Sequence, residues 1–323
     1  MKKNSFIHKT LLSTIPIYIS FTFLCPAYSF ARTTKGTVNN FSPAADNGLN
    51  SLTVPRLAQV AQRSISGSKL LTVPENTELN WYFVNRGKDQ MPEGPKESLD
   101  FISKYDGYFL GDTNNKVIYL TFDEGYENGY TEKILDVLKE TEVPAAFFVV
   151  KPYITQNPDI IKRMNDEGHL VCNHSSHHPS MASITDPVKF KQEFTDVEDA
   201  YKEVCGSEMP KFFRPPMGKY SINSLKQTQE LGYKSIFWSF AYKDWIIDNQ
   251  PSEDMAIKKI TNGVHPGCIM LLHAVSKTNT NVLKTVIEQI KNDGYEFKSL
   301  NDLPSCNRND DSSPENTDTL NNM

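Results

Sequence analysis

Short apolar runs alternate with amphipathic stretches through the middle of this chain. Residues 117–122 (VIYLTF), 145–150 (AAFFVV), 169–173, 211–215, 233–239, 268–273 and 296–300 read as strands. Between them, residues 130–140, 158–167, 187–204, 221–231, 252–262 and 281–292 carry helical periodicity, with Gly168 as a stop after the second. Continuous apolar runs are the mark of parallel strands buried on both faces, and parallel strands need a long crossover, usually a helix. About seven such units predict an α/β fold, and they suit a (β/α) barrel forming a single catalytic domain better than an open doubly wound sheet.

The polar residues at the ends of these runs sharpen that expectation. Asp123 and Glu124 end the first strand, a histidine cluster ends the third, Arg214 ends the fourth, Asp244 follows the fifth and His273 ends the sixth. A (β/α) barrel gathers the C-terminal ends of its strands onto one face, where its active sites lie. Residues far apart in sequence would then share one cleft.

The chain ends follow no such pattern. Lys2, Lys3 and Lys9 precede a largely apolar stretch, residues 11–26, and Ser29-Phe30-Ala31 then offers small residues. That order is expected of a secretory signal (1–31) cut after Ala31 or Ala27, with an N-terminal membrane anchor as the alternative, and it predicts an exported protein. Residues 32–78, rich in Thr, Ser, Asn, Gly and Pro, are expected to be a flexible linker to a catalytic domain spanning 79–303. Residues 304–323 are expected to be a disordered tail.

The 323 residues carry a formal charge of −5, and loss of residues 1–31 would leave 31 basic against 39 acidic side chains, a net −8. That balance argues against a nucleic-acid partner. Cys25, Cys172, Cys205, Cys268 and Cys306 show no metal-type spacing, and Cys172 and Cys268, on predicted strands, are expected to be buried thiols.

The chemistry concentrates in a few segments. In Asn173-His174-Ser175-Ser176-His177-His178, His174 and His178 are four apart, so one helical turn would set both imidazoles on one cation. His177, three from His174, stays possible on spacing alone. In Thr121-Phe122-Asp123-Glu124-Gly125, two adjacent carboxylates can divide labour, one completing a metal shell and the other acting as a base. Arg214, in Phe213-Arg214-Pro215-Pro216, offers a rigid fork suited to holding a carboxylate. Asp244-Trp245 sets a carboxylate beside an aromatic wall of the kind sugar rings pack against. His273 closes an apolar strand; a lone histidine there is usually a core residue, and it gains weight only by facing the same cleft.

Taken together, TFDEG (121–125), HSSHH (174–178), RPPMG (214–218), DW (244–245) and LLH (271–273) resemble, in order and spacing, the five motifs of the polysaccharide deacetylase (NodB-homology) family, carbohydrate esterase family 4. The likeness runs over about residues 79–303 and implies that family's distorted (β/α) barrel. The runs NWYFVNRGKDQMPEGP, YLTFDEGYENGYT, WSFAYKDW and LLHAVSKTN are similar to the branch that removes the N-acetyl group of N-acetylmuramic acid in spore-cortex peptidoglycan. In that branch the glycan has already lost its stem peptides to an amidase, and the freed amine cyclises to muramic δ-lactam, which is read at germination.

The resemblance also implies roles. Asp123 would be the base, held by Arg214. His174, His178 and Glu124 would bind a divalent metal, usually zinc. His273 would be the acid, oriented by Asp244. Trp245 and Leu271 would line the pocket, and the backbone N–H of Met217 would help hold the oxyanion. Glu124 departs from the family's usual Asp, and its extra methylene shifts the carboxylate by roughly 1.5 Å at a site sensitive to ligand geometry. The expected partner is a peptidoglycan strand, with a monomer as the working unit. The alternatives are a deacetylase of another polymer (N-acetylglucosamine in peptidoglycan, chitin-like oligomers or xylan) and a catalytically silent glycan-binding protein.

Overall fold

The structure, a computed structural model, describes residues 73–305. The expected leader, most of the linker and nearly all of the tail lie outside these residues, as do Cys25 and Cys306. Within them, β1 (Leu79–Asn80) and β2 (Gly107–Tyr108) precede β3 (Val117–Glu124), α1 (Thr131–Thr141), β4 (Ala145–Val149), α2 (Lys151–Gln156), α3 (Pro158–Asp166), β5 (Leu170–Asn173) and α4 (Pro187–Cys205). Then come β6 (Phe212–Phe213), β7 (Lys219–Tyr220), α5 (Ile222–Glu230), β8 (Lys234–Ile236), α6 (Glu253–Thr261), β9 (Cys268–His273), α7 (Lys277–Asn292) and β10 (Glu296–Phe297).

All seven expected strands are present, in one sheet whose pairings are parallel throughout. The sheet curls on itself. Past β8 the chain turns toward β9: Ser239 N–H donates to the Ile269 carbonyl at 3.0 Å, and the Phe240 carbonyl accepts from Leu271 N–H at 2.8 Å. That switch cuts the expected strand 233–239 to three residues and brings the sheet's two flanks together. The result is the distorted (β/α) barrel.

Strand alternation separates two cores. Val117, Tyr119, Ala146, Phe148, Cys172, Ile236 and Ile269 fill the barrel interior. Their neighbours Ile118, Leu120, Phe122, Phe147, Val149, Cys268, Met270 and Leu272 pack under the helices. Both faces being apolar, the strands read as continuous runs rather than alternating ones. Cys172 and Cys268 are buried free thiols, one in each core. The same parity decides what the strand ends present: Asp123 continues the interior face of β3, and Glu124 the helix face.

Helix starts follow local caps. Asp186 accepts from Val188 N–H and Lys189 N–H to open α4, and Ser221 with Ser224 forms a capping box on α5. Helix α7 begins four residues before the predicted 281. Ser276 accepts from Asn279 N–H at 3.1 Å, which starts the helix inside a polar Lys-Thr-Asn-Thr run that shows little apolar periodicity. A further antiparallel pair, β1 with β7, supports an aromatic cluster of Trp81, Tyr220 and Phe237. Trp81 Nε1 donates to the Trp238 carbonyl at 2.8 Å, tethering the loop beyond β8.

Candidate active site

The register of β3 against β9 places Asp123 opposite His273 at the C-terminal end of both strands, on the interior face. Arg214, just after β6, enters from the side and is fully buried. Its Nη1 donates to Asp123 Oδ1 at 2.7 Å, Nη2 to Thr121 Oγ1 at 2.8 Å and Nε to the Ile236 carbonyl at 3.0 Å. The Phe148 ring lies 4.1 Å from the guanidinium carbon. A buried cation is tolerable only when paired and hydrogen-bonded, and these partners meet both needs. Burial alone would raise the Asp123 pKa, but Arg214 and the neighbouring histidines outweigh it and hold the carboxyl below its ordinary range.

His174 follows β5. Its Nδ1 lies 2.8 Å from the Arg214 carbonyl, which can only accept, so Nδ1 carries the proton and Nε2 presents its lone pair. Nε2 stands 3.7 Å from Asp123 Oδ2. Burial pushes the His174 pKa down to about 4 and, more mildly, lowers that of His178. The two rings meet edge to face with centroids 4.9 Å apart.

They do not meet on a helical turn, as the i,i+4 spacing had suggested. Residues 174–178 form a loop in which Ser175 (φ 67°) and His178 (φ 56°) both take the left-handed conformation. Asn173 Oδ1 accepts from Ser175 N–H and Ser175 Oγ from His178 N–H, each at 2.9 Å, which offsets the cost of that backbone. His177 points away, with its side chain exposed and its Nδ1 2.9 Å from Glu193 Oε1.

On the other wall, Asp244 is buried beneath His273. Its Oδ1 lies 2.7 Å from His273 Nδ1, and its Oδ2 accepts from His273 N–H at 2.9 Å and from Asn279 Nδ2 at 2.6 Å. Tyr242 O–H donates to Asn279 Oδ1, which orients that amide. Gln250 Nε2 donates to the Asp244 carbonyl at 2.6 Å, fixing the loop. Burial would lower the His273 pKa; the Asp244 hydrogen bond and the charges of Asp244 and Asp123 overcome it and raise the value above an ordinary histidine's.

These groups open into one cavity of about 650 Å³ that Asp123, His174, His178 and His273 line together with Met217, Trp245 and Leu271. The Trp245 ring sits 5.4 Å from that of His273 and is half exposed. Met217 adopts φ 60°, and Gly218 after it has φ +65°, where an added Cβ would stand 2.8 Å from the Trp238 ring. A second cavity, of about 440 Å³, lies between Leu138 and His169 and holds none of the candidate residues.

Glu124 is the exception. It is fully buried, neither carboxylate oxygen has a hydrogen-bond partner, and it does not line the cavity. Burial, then repulsion from Glu127 and Asp123, drives its pKa well above the carboxylate range. Strand parity sends Glu124, expected as a metal ligand, to the helix face of β3 rather than to the cavity. Among the described residues no three His, Cys, Asp or Glu side chains are clustered as a ready ligand set.

Thr121, Tyr242, Gln250 and Asn279 were not singled out from sequence. Thr121 carried a usable signal, a polar residue two positions before Asp123 and so on the same strand face. The others hold their partners through loop and helix-cap geometry with no local pattern.

Residues 110–236 match the polysaccharide deacetylase family. The chain is 43% identical over 228 residues to the peptidoglycan-N-acetylmuramic acid deacetylase PdaA of Bacillus subtilis, covering 71% of this chain and 86% of that protein. The solved structure of B. subtilis PdaA, a family 4 carbohydrate esterase, superimposes with a TM-score of 0.69, over 72% of this chain and 98% of that one. A family 4 carbohydrate esterase from Bacillus anthracis, 44% identical, matches over the same shares with a TM-score of 0.60. A peptidoglycan-N-acetylglucosamine deacetylase of Bacillus cereus is 29% identical over 232 residues, covering 71% of this chain and 80% of that protein. The chain belongs to the polysaccharide deacetylase family, and its barrel is the one that family uses. It is an enzyme of the deacetylase class.

Proposed function

We propose that this enzyme removes the N-acetyl group of N-acetylmuramic acid in peptidoglycan. In this reading it is an exported monomer acting on glycan strands already stripped of stem peptide by an amidase, and its product closes to muramic δ-lactam in spore cortex. The observation that carries it is the pairing, across one cavity, of an ionised carboxylate held by Arg214 with an imidazole held by Asp244. The greater identity to the B. subtilis muramic acid enzyme than to the B. cereus N-acetylglucosamine enzyme supports the choice of sugar.

Asp123, kept ionised, takes the proton of the attacking water. His273, whose pKa stands above an ordinary histidine's, donates to the leaving amine nitrogen. A positioned base and acid each contribute typically about 10²–10⁴-fold, and amide cleavage needs both because the amine leaves poorly unprotonated. Trp245 and Leu271 would wall the sugar and acetyl group, and Met217 N–H would face the oxyanion.

The donors also fit a divalent metal such as zinc. Two neutral imidazoles converge, and the Nδ1 of His174 is locked on a carbonyl, the outer partner that orients metal-binding histidines. His174 and His178 would hold the ion, and Glu124 would not. When bound, such an ion acidifies water and polarises the acetamide carbonyl.

Acetate release decides the matter. The purified chain with Zn²⁺ is given amidase-treated peptidoglycan, intact peptidoglycan and N-acetylglucosamine oligomers. Release from the first alone is expected. Release mainly from the oligomers would move the reading to another polymer, and no release from any would leave a glycan-binding protein. Chelation should abolish turnover and Zn²⁺ should restore it.

A further inference from the structure

The catalytic cavity contains a charge that hydrolysis does not use. Lys243, between Tyr242 and the buried Asp244, lines it and is exposed. It is the one lysine or arginine lining the cavity among the described residues; Arg214 lies behind the wall, committed to Asp123 and Thr121. By contrast, the half-buried Lys219 and Lys151 have acidic partners, Glu78 at 2.7 Å and Asp196 at 3.3 Å. Lys243 forms no ion pair among the described residues, because its neighbour Asp244 is turned inward onto His273 and Asn279.

An unpaired lysine lining an apolar-walled pocket selects for an anion on the substrate. Resting on the muramic acid reading above, we propose that Lys243 is a specificity-determining residue that binds the free lactyl carboxylate of N-acetylmuramic acid. The chemistry of the sugar makes the fit. The lactyl ether is on C3, beside the C2 acetamide under attack, so its carboxylate lies on the same edge of the ring as the scissile bond. Lys243 lies on the loop that carries Asp244, which orients the acid, so binding the carboxylate would also register the amide against His273. N-acetylglucosamine has no such group. A stem peptide converts it to a neutral amide and adds bulk at that spot. One lysine would thereby distinguish muramic acid from glucosamine and stripped glycan from intact.

The test compares amidase-treated glycan with the same glycan after its lactyl carboxylates are coupled to methylamine, and with intact peptidoglycan, whose carboxylates lie farther out on the peptides. Wild type should prefer the free carboxylate. In Lys243→Met the ratio of kcat/KM between free and amidated glycan should fall about tenfold, mostly through KM, the scale of one charge-assisted hydrogen bond. Lys243→Arg should retain much of the preference, Lys243→Glu should reverse it, and added salt should compress the wild-type ratio. A preference that survives in Lys243→Met and Lys243→Glu overturns the proposal, as does an equal loss on both glycans or wild-type preference for intact peptidoglycan. If wild type releases acetate from no muramic substrate, the underlying reading fails and the proposal with it, and that failure shows in wild type rather than in the variants.

Discussion

The two walls of the cleft solve the same problem differently. On the Asp123 side, a charge is held by another charge inside the barrel, where Arg214 is clamped by Thr121, the Ile236 carbonyl and Phe148. On the His273 side, the charge is held by a carboxylate that itself hangs from a hydrogen-bonded relay, Asp244 to Asn279 to Tyr242, built on a loop and the first turn of α7. The first is rigid because strands fix it, and loss of its buried cation would disturb the core. The second can be adjusted one hydrogen bond at a time.

That difference is sharpest on the base side. Asp123→Asn should lower kcat by about 10²–10⁴-fold while the protein stays folded, since the amide keeps the shape and one acceptor. Arg214→Met should do more damage to the fold than to any single step. It leaves the Asp123 carboxylate without its main partner, at a cost of about 3–5 kcal/mol in denaturant unfolding. With Arg214 gone, burial raises the Asp123 pKa, so activity on the acid side should be lost at a higher pH than in wild type. An Arg214→Met enzyme with an unmoved acid limb would show that the ion pair does not tune the base.

The acid wall should respond through pH. His273 must be protonated to donate, so activity falls as pH rises through its raised pKa. Asp244→Asn removes the nearer of the two charges that raise it, so burial weighs more heavily against the protonated form. The alkaline limb should move to lower pH, and kcat at neutral pH should drop by about 10²-fold, the low end for a general acid. A smaller step in the same direction is expected from Asn279→Ala, which takes one hydrogen bond from Asp244 and leaves its contacts to His273. We expect kcat to fall by about tenfold or less, on the scale of one hydrogen bond to a charged group, with a small shift of the same limb. A loss in Asn279→Ala with the limb in place would mean that α7 supports the loop and not the titration of His273.

The same contrast explains what could be read from the amino-acid order. Strands, crossovers and the residues at strand ends were legible because parallel β-structure writes itself as apolar runs, and barrel geometry collects their ends. Asp123 and His273 meet through register alone. The 174–178 loop was legible in its residues but not its path: spacing of four suits a helix, while left-handed Ser175 and His178 bring the rings together another way. Asn279 was hidden because its value lies in a helix start set by the Ser276 cap. Lys243 lies within a motif run but carries no signal of its own, since a surface lysine next to a core aspartate looks like any other.

Glu124 gives the smallest expected effect and the finest discrimination, because it is the sequence neighbour of the base. One residue apart on β3, the two carboxylates face opposite sides, one onto Arg214 and the cleft, the other into the helix-side core with no partner. A buried carboxyl without hydrogen bonds costs about 1–3 kcal/mol of desolvation, which an apolar side chain of similar volume would not incur. Glu124→Leu should therefore keep activity within about twofold and raise the unfolding free energy by roughly 1–2 kcal/mol. The sign of the pH dependence follows from linkage. The folded pKa of Glu124 lies above its unfolded value, so between the two the native state binds more protons, and wild-type stability from this group falls as pH rises through that window. The advantage of Glu124→Leu should accordingly be least in acid and grow from about pH 4.5 upward until the folded pKa is passed. Thermal melts of both proteins across pH, with bound zinc measured after dialysis, would test this. A variant that melts earlier, or retains less zinc than wild type, would show that Glu124 turns toward the cleft and serves His174 and His178 after all.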